Sequence, residues 1–129
     1  MGTLALLDTS VLIANDPLPD GWDAAISTVT LGELHFGLLV AKTPEAQSAR
    51  ASRLGQIQTR FPDALPLDEA VAREWGALQA AVRRRGGNPR GRMADLAIAA
   101  TSIVHGAVLL TRNLADFALV ADLVNAREP

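Results

Sequence analysis

Apolar and polar positions fall into short periodic blocks along this chain of 129 residues. Leu4 to Leu7 is an apolar run that stops at Asp8, and a second apolar turn, Val11-Leu12-Ile13, follows Thr9-Ser10. That is the pattern of a buried strand feeding a short helix, with Asp8 at the strand's carboxyl end. Pro17, Pro19 and Gly21 mark a loop, and Ala25 to Thr28 is a predicted second strand. From Thr30 to Ala41 the apolar positions Leu31, Leu34, Leu38 and Ala41 recur at helical spacing. Thr43-Pro44-Glu45 is a helix start, with a capping hydroxyl, a proline at the first helical position and an acid in the first turn. Leu54, Ile57 and Phe61 give that second helix its apolar face, Pro62 ends it, and the two helices form a hairpin.

Leu65-Pro66-Leu67 reads as a short extended segment leading into a helix from about Asp68, with Val71, Trp75, Leu78 and Val82 as its buried stripe. Gly86, Gly87, Pro89 and Gly91 predict a loop from Arg83 to Arg92, because that density of glycine and proline opposes both helix and strand. Met93 to Val104 is apolar nearly all round, which predicts a buried helix carrying Asp95 near its N-terminus. His105-Gly106 closes it, Ala107 to Leu110 is the next strand, and Val120 to Val124 is read as a last strand. Strands alternating with helices imply parallel pairing through right-handed crossovers and a sheet covered on both faces. In such sheets the functional crevice lies outside the carboxyl ends of the strands, where Asp8 and the segment Thr111 to Asp116 both map.

Composition narrows the picture. A 49% hydrophobic and 20% charged chain of this length is the profile of one globular domain, residues 1–129. With no cysteine there is no disulfide, thiolate nucleophile or cysteine-held metal, in keeping with a reducing cytoplasm. The apolar N-terminus has no basic leader and carries Asp8 in its middle, and Met93 to Leu110 is interrupted by Asp95 and His105-Gly106. Neither reads as a signal peptide or membrane span, so a cytoplasmic protein is expected.

Each of four acids has an ordinary explanation. Asp8 suits a cap on the short helix, Glu33 stands three residues after Thr30 as in a capping box, Asp95 complements a helix dipole, and Asp116 suits a turn before Phe117. Taken together that reading weakens. Asp8 and Asp95 lie in nearly continuous apolar sequence, where ionised groups are rarely buried unpaired, and the only lysine, Lys42, is far away in sequence. Two carboxylates ~4 Å apart repel by roughly 4 kcal/mol at an effective dielectric near 20, so a cluster needs a cation or takes up protons. Oxygen-only ligation with open water positions suits Mg2+ or Mn2+ better than zinc.

Four segments carry a family resemblance. Leu6-Leu7-Asp8-Thr9-Ser10-Val11-Leu12-Ile13, Glu33-Leu34-His35-Phe36-Gly37-Leu38, Asp95-Leu96-Ala97-Ile98-Ala99-Ala100-Thr101 and Leu110-Thr111-Arg112-Asn113-Leu114-Ala115-Asp116-Phe117 resemble, in order, the successive motifs of PIN domains. The subgroup they look most like is the VapC toxins of bacterial toxin–antitoxin pairs. The resemblance implies a three-layer α/β/α sandwich with a central, mostly parallel sheet. It also implies endonucleolytic cleavage of RNA by metal-activated water, with Mg2+ or Mn2+ as cofactor and products bearing a 5′-phosphate and a 3′-hydroxyl. By position, Asp8, Glu33, Asp95 and Asp116 are then the metal-binding, catalytic acids. Thr111 and Asn113 match the polar residues that support the fourth acid, and Ser10 is placed to hydrogen-bond a ligating carboxylate.

A net charge of −2 argues weakly against a dedicated nucleic-acid binder, but setting the four acids aside leaves ten acidic residues against twelve basic. Five of the eleven arginines lie between Arg83 and Arg92, immediately before Asp95. Arg85, Arg90, Arg92 and Arg112 are therefore candidate RNA contacts, since the guanidinium fork matches phosphate. A solvated surface loop explains the cluster equally well. Neither His35 nor His105 has a second histidine at ligand spacing, and Trp22 and Trp75 read as packing residues. Phe36 and Leu39 beside the core stripe of the hairpin suggest a second apolar face, suited to a homodimer or to a VapB-type antitoxin. Two other readings stand beside the nuclease. One is a non-catalytic binding module of the same fold, and the other is a phosphoacceptor signalling domain, which needs a lysine near its acids.

Overall fold

The computed structural model describes residues 2–129. Four strands, β1 (Leu4–Leu7), β2 (Asp23–Ala25), β3 (Val108–Leu110) and β4 (Ala126–Arg127), form one parallel sheet in the order β2-β1-β3-β4. β1 and β3 are central, with Ala5 opposite Val108 and Leu7 opposite Leu110. The pleat sends alternate residues to opposite faces. Leu6 and Leu109 enter one core, while Ala5, Leu7, Val108 and Leu110 enter the other.

The helices α1 (Thr9–Ala14), α2 (Thr28–Leu39), α3 (Pro44–Arg60), α4 (Glu69–Arg84) and α5 (Met93–Val104) cover those faces. Leu6 and Leu109 pack with Val71, Leu78 and Val82 of α4 and with Leu96 and Ile98 of α5. On the other face Val11 of α1, Leu34 of α2 and Leu54 and Ile57 of α3 close over Leu7 and Leu110. The result is an α/β/α sandwich. α5 is buried almost all round, from Leu96 to Ser102, and its two buried hydroxyls donate back to the helix, Thr101 to Ala97 O and Ser102 to Ala99 O. Among the described residues no helix is long and apolar enough to cross a membrane.

Several boundaries differ from the sequence reading. The second strand occupies Asp23–Ala25 rather than Ala25 to Thr28, because Ser27 instead caps α2 by accepting from Val29 N at 3.0 Å. The capping box expected at Thr30 and Glu33 is therefore absent, and Glu33 lies inside α2. α4 continues through Arg84, and Pro89–Arg92 forms a 3-10 turn, so less of the glycine-rich segment is irregular than expected. Arginines in a last helical turn suit the negative end of the helix dipole, and the helix stops just before Gly86, whose φ of +87° is left-handed. Val120 to Val124 is not a strand. Val124 N donates to Val120 O at 3.0 Å, so these buried valines share one face of a helical turn, and the strand comes later as β4.

Candidate functional site

Asp8 follows β1 and Thr111 follows β3, and because those strands are paired neighbours the fold brings two residues distant in sequence together at the carboxyl end of the sheet. Asp8 is 4% exposed. Its Oδ2 accepts from Thr111 Oγ1 at 2.8 Å and from Ser10 Oγ at 2.9 Å. Those hydroxyls are themselves fixed, since Asn113 N donates to Thr111 Oγ1 at 3.0 Å and Arg112 N to Ser10 Oγ at 3.1 Å. Asp8 precedes α1 but makes no side-chain cap, so the plain helix-capping explanation of this residue does not hold. Every side-chain bond to Asp8 falls on Oδ2. Among the described residues no buried side-chain oxygen lacks a partner, so Oδ1 faces space that solvent reaches.

Glu33 approaches from α2. Its Oε1 accepts from Thr9 Oγ1 at 2.8 Å, and its pKa is raised by burial, opposed by the Thr9 hydroxyl and reinforced by the charge of Asp8. Asp95 stands in the first turn of α5 with its carboxyl half buried and no hydroxyl donor. Its pKa is pushed from 3.8 up to about 6, first by desolvation and then by the charges of Asp8, Glu33 and Asp116, against the Arg92 guanidinium. Asp116 is exposed in the 3-10 helix Leu114–Val120, and the Arg92 side chain donates to its main-chain carbonyl.

The four acids thus share one electrostatic neighbourhood. They do not form a ready-made cage, since among the described residues no three close on a single point as a metal-holding group. The donor set nevertheless fits a hard dication. It offers only carboxylate and hydroxyl oxygens, and Mg2+ keeps several of its waters and takes one or two carboxylates directly. Burial of several anions near one another is the electrostatic condition that a cation relieves.

The remaining sequence candidates are placed as follows. Ser10 and Thr111 both hold Asp8, so Thr111 supports the first acid rather than the fourth. Asn113 contributes its main-chain N–H to Thr111 and its carbonyl to Asp116 N at 2.9 Å. Arg85 is engaged by Asp122 at 2.6 Å and by Leu119 O, Arg112 by Asp16 at 3.0 Å, and Arg92 by Asp116 O. Arg90 is exposed in its 3-10 turn. Thr9, which orients Glu33, was passed over in the sequence because its partner lies on another helix and no local spacing links them.

A family model described as PIN domain matches residues 5–123. Among curated proteins the chain is 39% identical to Ribonuclease VapC4 of Mycobacterium tuberculosis, covering 92% of each, and 33% identical to Ribonuclease VapC5 of the same organism, covering 88% of this chain and 84% of that one. Among solved structures it matches VapBC-5 from Mycobacterium tuberculosis, a member of the VapBC family of toxin–antitoxin systems, with a TM-score of 0.81 and 30% identity over 98% of this chain and 97% of that one. FitAcB from Neisseria gonorrhoeae matches with a TM-score of 0.78 and 29% identity over 97% of both chains.

Proposed function

From the premise that this chain belongs to the PIN-domain family and is homologous to VapC-type ribonuclease toxins, we propose that it is a Mg2+- or Mn2+-dependent endoribonuclease held in check by an antitoxin. One observation carries this reading: the charges of Asp8 after β1, Glu33 of α2 and Asp116 in the segment after β3 all reach Asp95 of α5, whose pKa is pushed up to about 6 by desolvation first and by those charges next, with Arg92 offsetting only part of it. The family's relatives include proteins named ribonucleases and a toxin–antitoxin complex, which supports the same reading.

Asp8, Glu33, Asp95 and Asp116 would hold the ion. When bound, the dication lowers the pKa of a coordinated water and offsets charge at the scissile phosphate. The protein's own groups supply position. Ser10 and Thr111 fix Asp8 through Oδ2 and leave Oδ1 open, Thr9 fixes Glu33, and Arg92 ties the turn carrying Asp116 to the one that precedes Asp95. The hydroxyls of Thr9, Ser10 and Thr111 donate to carboxylates, so the reading assigns the attack on phosphate to a water and not to these side chains. Phe36 and Leu39 stand 65% and 77% exposed on α2, an apolar face of the kind an antitoxin helix covers.

Incubation of a pool of cellular RNA with the protein tests the assignment. Cleavage is expected with Mg2+ or Mn2+, none with EDTA, and none from Asp95→Asn, which keeps the shape and removes a charge. Wild-type cleavage by Asp95→Asn, or cleavage in EDTA, would sink it.

A further inference from the structure

The arginines singled out in sequence are largely engaged with protein acceptors, whereas two others are not. Arg53 and Arg60 of α3 enter no salt bridge among the described residues. Both line a cleft of about 340 Å3 between α1 and α3. Its floor includes Val11, Ile57 and Phe61, and its rim carries Arg53, Gln56 and Arg60. The Arg60 guanidinium lies 4.8 Å from the centre of the Phe61 ring, so a flat cationic group is already stacked there. The acid on this rim, Asp16, is taken up by Arg112. A second cleft of about 420 Å3 adjoins the first through Ile13 and Arg53 and reaches Glu33. Arg53 and Ile13 therefore line both clefts, and Glu33 is the acid on the wall of the second.

Resting on the ribonuclease reading, we infer that this cleft is an RNA-binding extension of the site that takes one unpaired nucleotide of a single-stranded substrate. The base lies on the floor of Val11, Ile57 and Phe61, the flanking phosphates meet Arg53 and Arg60, and Gln56 reaches the base edge. Three observations favour this occupant. The free charge on the rim is positive, the floor is apolar and bordered by an arginine–aromatic stack of the kind on which splayed bases rest, and the space is that of a single base rather than of a helix. A paired base in a duplex is unavailable to such a pocket, so the substrate must be a loop or an unpaired strand.

The test measures RNA binding without catalysis, using the full chain in EDTA and a labelled single-stranded RNA of about 12 nucleotides, within the range such sites span. The variant combines Arg53→Gln with Arg60→Gln, which removes both charges and keeps much of each stem. Its dissociation constant is expected to rise about tenfold, and its salt dependence to fall by about 1.4 in log–log slope, two phosphates at roughly 0.7 each. Lysine at both positions should restore most of the slope, and Gln56→Ala should alter base preference without changing it. Far-ultraviolet circular dichroism checks that each variant is folded. Unchanged affinity and slope in the folded double variant overturn the inference. So does loss of binding to a synthetic acidic peptide with RNA affinity intact, which would make the cleft a protein-docking groove. Arginine-dependent RNA binding in a protein that cleaves nothing with Mg2+ or Mn2+ would instead keep the cleft and sink the assignment of the acids.

Discussion

Asp8 and Asp95 are the same residue type, both set in apolar sequence and close enough for the charge of one to act on the other, yet the fold treats them in opposite ways. Around Asp8 the ends of β1 and β3 supply two hydroxyls to one carboxylate oxygen, and those hydroxyls are pinned by main-chain N–H groups. Around Asp95 the start of α5 supplies burial and three like charges, relieved in part by Arg92. Hydrogen bonds to an ionised group favour its charged form, and desolvation beside like charges disfavours it. The Asp8 carboxylate is therefore held in place by the protein's own donors, while Asp95 is left to be paired by something the protein binds.

The sharpest way to break this comparison is Asp95→Asn. Cleavage should fall by more than about a hundredfold, beyond the 10- to 100-fold typical of removing a ligand's outer hydrogen-bond partner. The same variant should melt at a higher temperature than wild type in EDTA at pH 7.5, because a repelled, desolvated charge is gone. The order reverses on adding Mg2+. At a hundred times its dissociation constant, the ion stabilises wild type by about 2.7 kcal/mol, and the variant should gain little. A lower melting temperature for the variant in EDTA would show that Asp95 is not strained.

Thr111→Val acts on the other region and should do the reverse. It leaves a buried carboxylate short of a donor, a cost of about 1–3 kcal/mol that differential scanning calorimetry should register as a fall of several degrees, with or without metal. An unchanged melting temperature would mean that Ser10 alone suffices.

The smallest effect is in pH dependence. Asp95 is raised in the folded protein from 3.8 to about 6, so its protonated form favours the fold below the unfolded value, and that advantage is lost as pH rises through about 6. In EDTA, the stability of wild type relative to Asp95→Asn should decline between pH 4 and about 6 and then level off. Mg2+ affinity should climb over the approach to the same pH, since the proton and the ion compete for one carboxylate. A difference that stays flat across this range would remove the electrostatic contrast between the two aspartates.

How much of this was legible beforehand depends on the range of the interaction that fixes each feature. α5 was read from Met93 to Val104 because a buried helix declares itself in a long apolar run, and β1 because its run ends abruptly at a charge. The last strand was misplaced because Val120 and Val124 satisfy a helical period and a strand reading alike over so short a stretch. The start of α2 was misread because Ser27 and Thr30 are both plausible caps, and only the backbone at Ser27 decides between them.

For the site, the sequence by itself determined which residues can bear charge at strand ends and that no lysine neighbours them. It also supplied the order of four motifs, because those are properties of residue type and local spacing. Only the tertiary structure decided that Thr111 serves Asp8 across 103 positions and that Thr9 serves Glu33 across 24. It also decided that Arg53 and Arg60 border an open cleft. Those outcomes depend on which strands pair and which helices pack together, and a hydrogen bond or a desolvation penalty exists only once distant segments have been brought within a few ångströms.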